Sequence, residues 1–392
     1  MESGKRATMV DVAAAAGVAL RTVSRYVNGQ TNIAPEIAAR IAAAIETLNF
    51  RRNSAAASIR PGQRSGLVAL ITEDIANPFY AAVTGAVESV LRRHGYLLLA
   101  ASSEEDGGRF ADLVERLIER RVDGLIVVPP LDPGPRWAAL AREIRALVLL
   151  DRPVVTEAAA GTGTPTGTGT PTGTEAPTAP GALRADLVVA DDRAGGALAT
   201  RLLLPAGPRV AFVGDTLALP TLAARHRGHL DALHDAGIHA DPALTVAGLR
   251  ESSTVAAGIG ALLDAGAAVD GFFAANNRAA LGVLSALAER GLRRPVVGFD
   301  DIEGAQLFDP PLTVVRPDLA AMGRTAAELL VERIAGSDRD PVVHVVPVDP
   351  VLRRSHLAAP APARVTGPAA APPAPATSPP PPAPPTRERD HQ

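Results

Sequence analysis

Residues 8–28, TMVDVAAAAGVALRTVSRYVN, constrain the chain more than any other stretch. Two short segments with apolar faces flank a glycine, the pattern of two helices meeting at a tight turn. Thr8 followed three residues later by Asp11 reads as a capping-box start, the hydroxyl accepting from an orphan amide. Gly17 supplies the left-handed backbone that ends the first helix, and Val18 plugs the turn into a core. The second helix runs from about Leu20 to Asn28, with Val23 and Val27 inward at i, i+4. Leu20, Arg21, Ser24 and Arg25 then share the outer surface. Arginine can donate two bonds to guanine O6 and N7, and leucine can meet a thymine methyl. A third helix, about Pro35 to Leu48, has Ile37, Ile41, Ile45 and Leu48 at helical spacing. It closes a small all-α three-helix domain over residues 1–50, a helix-turn-helix (HTH) unit of the kind that enters a DNA groove. Taken alone, the same residues also fit an alanine-rich helical hairpin with solvated arginines.

The rest of the chain is long enough for sizeable cores. Its 392 residues are 47% hydrophobic and contain no cysteine, which suits a cytoplasmic bacterial protein without disulfides or thiolate metal sites. The first residues, MESGKRATMV, lack an apolar signal region, and no run of 18 apolar residues exists, so export and membrane spanning are not expected. A net charge of −3 conceals an asymmetry. Residues 1–62 hold eight cations against four anions, a net of +4 that leaves −7 for the remainder. A basic head on an acidic body concentrates phosphate attraction where the helical unit lies. The chain has no P-loop, no GxGxxG after a strand, no HExxH and no GxSxG, so no enzyme and no cofactor are expected. His226 and His229 lie at i, i+3 without an evident third ligand, so no metal site is expected either.

From Gly66 onward, continuous apolar runs alternate with helical stretches, as buried parallel strands require. LVALI (67–71), YLLLA (96–100), LIVVP (125–129) and LVLLD (147–151) form one series, with helices near 79–93, 106–120 and 136–145. DLVVA (186–190), RVAFV (209–213), GFFAA (271–275) and PVVGF (295–299) form a second. VDG precedes a strand twice, at 122–124 and 269–271. The echo points to an α/β core of two parallel-sheet subdomains of like topology. Ligands in such sheets bind beyond the carboxyl ends of the strands, here a cleft between facing halves. Residues 157–181, a Gly/Thr/Pro repeat, and residues 356–392, an Ala/Pro tail, cannot bury enough apolar area to order themselves and are read as disordered segments.

AGV…TVSR…N, with the later LNFRRNSAAASIR, resembles the DNA-binding head of the LacI family of bacterial transcriptional regulators. EDIANPFY (73–80), VDGLIVV (122–128), LLDRP (149–153), FFAANNRAALGVLSAL (272–287) and VVGFDD (296–301) resemble that family's periplasmic-binding-protein-like (type I) core. The resemblance implies base reading by Leu20, Arg21 and Arg25, and backbone contacts from Thr8, Thr22, Ser24 and Asn28. It implies a hinge within residues 51–63, with a helix over about Ser54 to Ile59 whose Ala56 and Ile59 enter the minor groove, where an apolar wedge unstacks a base step. It places effector contacts at Phe79, Tyr80, Asp151, Arg225, Asn276 and Asp300, with the two aromatics on the first loop.

Those residues suit a small polyhydroxylated or heteroaromatic ligand: carboxylate and amide bond paired hydroxyls, and arginine spans two acceptors. A carbohydrate is the favoured class, with a nucleoside or purine possible. Other readings of the same residues stand beside this one. Asp300 and Asp301 could cap a following helix, Arg225 could pair with Asp231, and Phe79 could start a helix and fill core. Trp137 is expected on a helix surface or at an interface. Ala19 and Ala34 stand where the family has capping residues, and Asn49 must take the left-handed turn where glycine is usual. Asn277 replaces an aspartate common in the family.

Within the core of residues 64–355, the expected division is 64–155 plus 316–340 against 184–315 plus 341–355. The chain as a whole is expected to be a homodimeric repressor of a pseudo-palindromic operator in double-stranded DNA, under the control of a small-molecule effector. A solute-binding protein using the same cleft is the alternative.

Overall fold

The computed structural model describes residues 7–27, 29–30, 32–51, 64–154 and 185–357. The expected hinge contacts Ala56 and Ile59, the backbone contact Asn28, and the 157–181 repeat lie outside the described residues, as does all but the start of the 356–392 tail.

The head forms as its sequence requires. Helix α1 (Met9–Ala16) starts at Thr8 with both arms of the capping box and ends at Gly17, at φ 61° and ψ 42°. Helix α2 (Leu20–Val27) follows after three residues, and α3 (Pro35–Thr47) opens on proline with no side-chain cap. Val12, Val23 and Ile41 are fully buried where the three helices meet. From α3, the Arg40 guanidinium donates to the Ala16 and Gly17 carbonyls, satisfying the end of α1. Asn49 takes the left-handed conformation at φ 45°, one that asparagine tolerates better than most residues.

The core contains two six-stranded sheets. In chain order the first lobe contributes β1 (Leu67–Thr72), α4 (Pro78–Arg93), β2 (Leu97–Ser102), α5 (Gly107–Glu119), β3 (Gly124–Val127), α6 (Trp137–Glu143), β4 (Leu147–Leu150) and β5 (Asp186–Ala190). The chain then crosses to the second lobe. There it makes α7 (Asp192–Leu203), β6 (Val210–Val213), α8 (Pro220–Asp235), β7 (Thr245–Val246), α9 (Ser252–Asp264), β8 (Gly271–Ala274), α10 (Asn277–Glu289), β9 (Val296–Phe299) and β10 (Thr313–Pro317). It returns as α11 (Leu319–Ala335) and β11 (Val343–Val346), and crosses a third time into β12 (Val348–Val351).

The sheet orders are β11-β5-β4-β3-β1-β2 and β12-β10-β9-β8-β6-β7. Every adjacent pair is parallel except β10–β12. The orders are the same pattern twice, so β4 and β9 occupy equivalent places. This topology corrects the expected division. DLVVA is the fifth strand of the first sheet and does not open the second, because its backbone pairs with β4 and β11. The stretch assigned as 341–355 is split, β11 closing the first sheet and β12 the second.

The central strands β3, β4, β6, β8 and β9 are apolar and fully buried because helices cover both faces. Val68 and Leu70 of β1 point to the cluster under α4 and α11, while Ala69 and Ile71 point to that under α5 and α6. Trp137 belongs to the latter cluster: it is 4% exposed, its ring 5.1 Å from that of Phe110. The expectation of a surface or interface tryptophan is therefore wrong; the first turn of α6 turns it inward. In the second lobe α7 and α8 cross at contact distance through Gly196 and Gly228. A Cβ on Gly196 would run into the Arg225 carbonyl, and one on Gly228 into the Arg193 carbonyl. No helix of the described residues is long and apolar enough to cross a membrane.

Candidate functional site

Glycine pairing between α7 and α8 sets the position of the central cation. Arg225 of α8 is 4% exposed. Its Nε donates to Asp192 at 2.8 Å, Nη1 donates to the Ala275 carbonyl at 2.7 Å, and Nη1 lies 3.7 Å from Asp300. The guanidinium carbon sits 3.6 Å from the centroid of the Phe299 ring, a cation–π contact. Asp231, the alternative partner for Arg225, is taken by Arg193 at 2.7 Å.

Asp151 follows β4 and Asp300 follows β9, so the two carboxylates occupy equivalent positions of the repeated fold. Both adopt left-handed backbone, at φ 70° and φ 67°. Both donate their amides to the neighbouring strand, Asp151 to Val188 and Asp300 to Val315. Neither caps a helix. Asp301 is held by Arg353 at 2.9 and 3.0 Å, which removes the capping alternative for this pair. Tyr80 donates its hydroxyl to Asp151 at 3.1 Å. Phe79 and Tyr80 lie in the first turn of α4, not on a loop, because Asn77 caps that helix and Pro78 starts it. Asn276 caps α10 by accepting the Ala279 amide at 2.7 Å, which leaves its Nδ2 to donate.

All six expected contact residues line one open cleft between the lobes, of about 560 Å³ counting space open to solvent. Several lining residues were not anticipated. Glu73, the residue after β1, lies between Arg152 at 3.4 Å and Arg250 of the other lobe at 2.7 Å. Asp74 pairs with Arg278 across the cleft, and Asn277 donates to Asn77 at 2.8 Å. The segments EDIANP, LLDRP and NNR already stood out as strings. What a string lacks is the pairing of partners on opposite lobes.

Burial sets the electrostatics. It pushes Asp192 up to about 7 against the pull of Arg225, and Asp300 up to about 6. It also raises the Asp151 carboxyl and the Tyr80 hydroxyl above their usual ranges. Each lining arginine already has a carboxylate: Arg152 has Glu105 and Glu73, Arg225 has Asp192 and Asp300, Arg250 has Glu73, and Arg278 has Asp74. Asp300 Oδ1, by contrast, is the buried side-chain polar atom without a partner among the described residues. The cleft therefore offers acceptors to a donor-rich neutral molecule and holds its cations in pairs.

On the head, Leu20 is 47% exposed and Arg21 is also exposed, while Thr22 and Ser24 are half-buried beside them. Arg25 differs from expectation. Its Nε donates to Gln30 at 2.9 Å and its Nη2 to Asn32, so the guanidinium braces the turn after α2. A two-bond guanine contact from Arg25 would require these bonds to break.

Residues 8–53 match the family described as bacterial regulatory proteins, lacI family, and residues 207–356 match a periplasmic binding protein-like domain. The chain is 29% identical over 340 residues to the HTH-type transcriptional repressor PurR of Vibrio atlanticus, covering 85% of this chain and 94% of that one. It is 28% identical over 356 residues to the HTH-type transcriptional regulator GalR of Escherichia coli, covering 89% and 95%. Among solved structures, a complex of the transcriptional regulator CelR with cellobiose aligns over 89% of this chain and 100% of that one, with TM-score 0.61 and 28% identity. The lac repressor dimer bound to operator and an anti-inducer shares the fold, with TM-score 0.74 at 23% identity over 90% and 99%.

Proposed function

The chain belongs to the lacI family of bacterial regulatory proteins, a DNA-binding regulator with an effector-binding core, and from that premise we propose a specific mode of action. It is a repressor that acts in the cytoplasm as a homodimer on a pseudo-palindromic operator, one head per half-site. Leu20 and Arg21 read bases, and Thr8, Thr22, Ser24 and Asn28 hold the backbone. Arg25 reaches DNA with Nη1, its other donors being committed to the turn. Ala56 and Ile59 of the hinge meet the minor groove.

The effector is a neutral polyhydroxylated molecule of the carbohydrate class. The observation that carries this is the unpartnered, buried Asp300 Oδ1 in a cleft whose arginines are already neutralised. A hydroxyl group can satisfy that oxygen without leaving a charge unpaired; an anion would face acceptors and occupied cations. Phe79, buried in the first-lobe core, also lines the cleft with an apolar ring. The cellobiose found in the CelR relative is chemistry of the same class. The relatives are regulators along nearly their whole length, which sets aside the solute-binding alternative.

A thermal-shift panel of neutral sugars, sugar phosphates, nucleosides and purines tests the reading. A ligand at a hundred times its Kd stabilises by about 2.7 kcal/mol. A neutral sugar should raise the melting temperature of the wild-type chain but not of Asp300→Ala. Stabilisation by an anion or a purine alone, or stabilisation that survives Asp300→Ala, contradicts it.

A further inference from the structure

The two lobes repeat one pattern of strand order, and a difference at one junction bears on control of the head. In the second lobe the helix that receives the chain from the other lobe, α7, ends at Leu203 and runs through residues 204–209 straight into the first strand, β6. The equivalent helix of the first lobe is α11, which receives the chain from β10. Its partner strand is β1, but no peptide joins them, because β1 is entered from the hinge. Arg64 closes that gap. It is the first described residue after the hinge, and its Nη2 donates to the Ile334 carbonyl at the end of α11 at 2.7 Å, with Nη1 3.2 Å from the Tyr96 hydroxyl.

The VDG echo supports the same equivalence. Asp123 accepts from the Ser65 and Gly66 amides at 2.8 Å each, at the entry to β1. Asp270 of the second VDG accepts from the Arg209 amide at 2.9 Å, at the entry to β6. Each aspartate clasps the entry to the first strand of its lobe; only in the first lobe is that entry also the exit of the hinge.

We propose that Arg64 is the positioning residue through which the relation of the two lobes reaches the hinge. Helix α11 begins one residue after β10, a strand of the second lobe, and spans 17 residues, about 26 Å, to the far end of the first. It is pinned along its length: Gly323 lies against the α4 backbone, and Arg333 closes on Asp186 at 2.9 and 3.0 Å. A rotation of the second lobe loads the start of this rigid rod, and the rod, seated on α4 and Asp186, can answer only by sliding or tilting as a unit within the first lobe. The guanidinium–carbonyl bond at its other end passes that displacement to the chain leaving for the head. Asp123 fixes the strand entry in either state, and Arg64 makes it responsive.

The inference rests on effector-controlled DNA binding, and its test needs no effector. The probe is the duplex that the full wild-type chain enriches from a random pool. The lobe relation is perturbed by Arg278→Glu, which breaks the cross-cleft pair with Asp74, and independently by Asp74→Asn. In the wild-type background these changes should alter affinity for the duplex at least fivefold. In the Arg64→Ala background the same changes should alter it less than twofold, with the melting temperature of the core unchanged. Arg64→Lys, which keeps one donor, should restore part of the response. A purely structural Arg64 would lower affinity equally in every background and leave the ratio intact; that result overturns the proposal, as does a wild-type chain that ignores both cleft variants. Failure to enrich any duplex strikes instead at the DNA-binding reading.

Discussion

Asp300→Asn should make the ligand-free core more stable at pH 8 while weakening its hold on a cleft ligand. Burial, outweighing the nearby Arg225 and reinforced by Asp151, pushes Asp300 from 3.8 up to about 6. A carboxyl raised by folding contributes stability below its unfolded value, and that contribution is lost as pH rises through the folded value. Asp300 is therefore neutral and harmless near pH 4, and ionised and costly above pH 7. Two pH units correspond to about 3 kcal/mol, or roughly 5–10 °C in melting temperature for a core of this size. Asparagine keeps the shape, tolerates the φ of 67°, and removes the charge. Thermal unfolding followed by circular dichroism from pH 4 to pH 8 reads the effect. The variant should exceed wild type at pH 8, and the curves should converge near pH 4. Equal or lower stability of the variant at pH 8 refutes the reasoning.

Three further outcomes follow from the same geometry. Gly228→Ala drives a Cβ into the Arg193 carbonyl, so α7 and α8 must separate; the core should lose about 3 kcal/mol by denaturant titration, and Arg225 should lose its ligand. An unchanged midpoint contradicts the close crossing. Gly17→Ala forces a left-handed alanine against the Arg40 guanidinium and should cost the head about 1–2 kcal/mol, read as a lower melting temperature of a head fragment or as lost duplex binding by the full chain. Arg21→Ala should weaken binding to an enriched duplex by about 1–3 kcal/mol and relax selectivity at one base pair, whereas Arg25→Ala should weaken all duplexes alike. Base-specific loss from Arg25→Ala would return it to the role that its sequence position suggests.

Much of the molecule was legible because its physics is local. Capping at Thr8, the left-handed turns at Gly17 and Asn49, and the apolar strand runs each depend on a few adjacent residues. Asp151, Asn276 and Asp300 follow strand ends, where the same logic looks for ligand contacts, whereas Phe79, Tyr80 and Arg225 lie inside helices and were marked only by the family resemblance. What the sequence concealed is set by partners far apart in the chain. DLVVA looks like any apolar strand, and only its pairing with β11, more than 150 residues later, assigns it to the first lobe. Arg25 looks like a free reader until Gln30 and Asn32 fold back on it. Trp137 carries no mark of which side of α6 faces the sheet. The cleft-spanning pairs of Glu73 with Arg250 and Asp74 with Arg278 join residues about two hundred positions apart, and no spacing rule reaches that far.

Affinity of the purified chain for its enriched inverted repeat, measured with and without the sugar that stabilises the core, bears most directly on the account as a regulator. The predicted result is a strong preference for the repeat over random duplex and a change of at least fivefold when the sugar is added, abolished in Asp300→Ala. Equal affinity for repeat and random duplex, or binding indifferent to the cleft ligand, would contradict it.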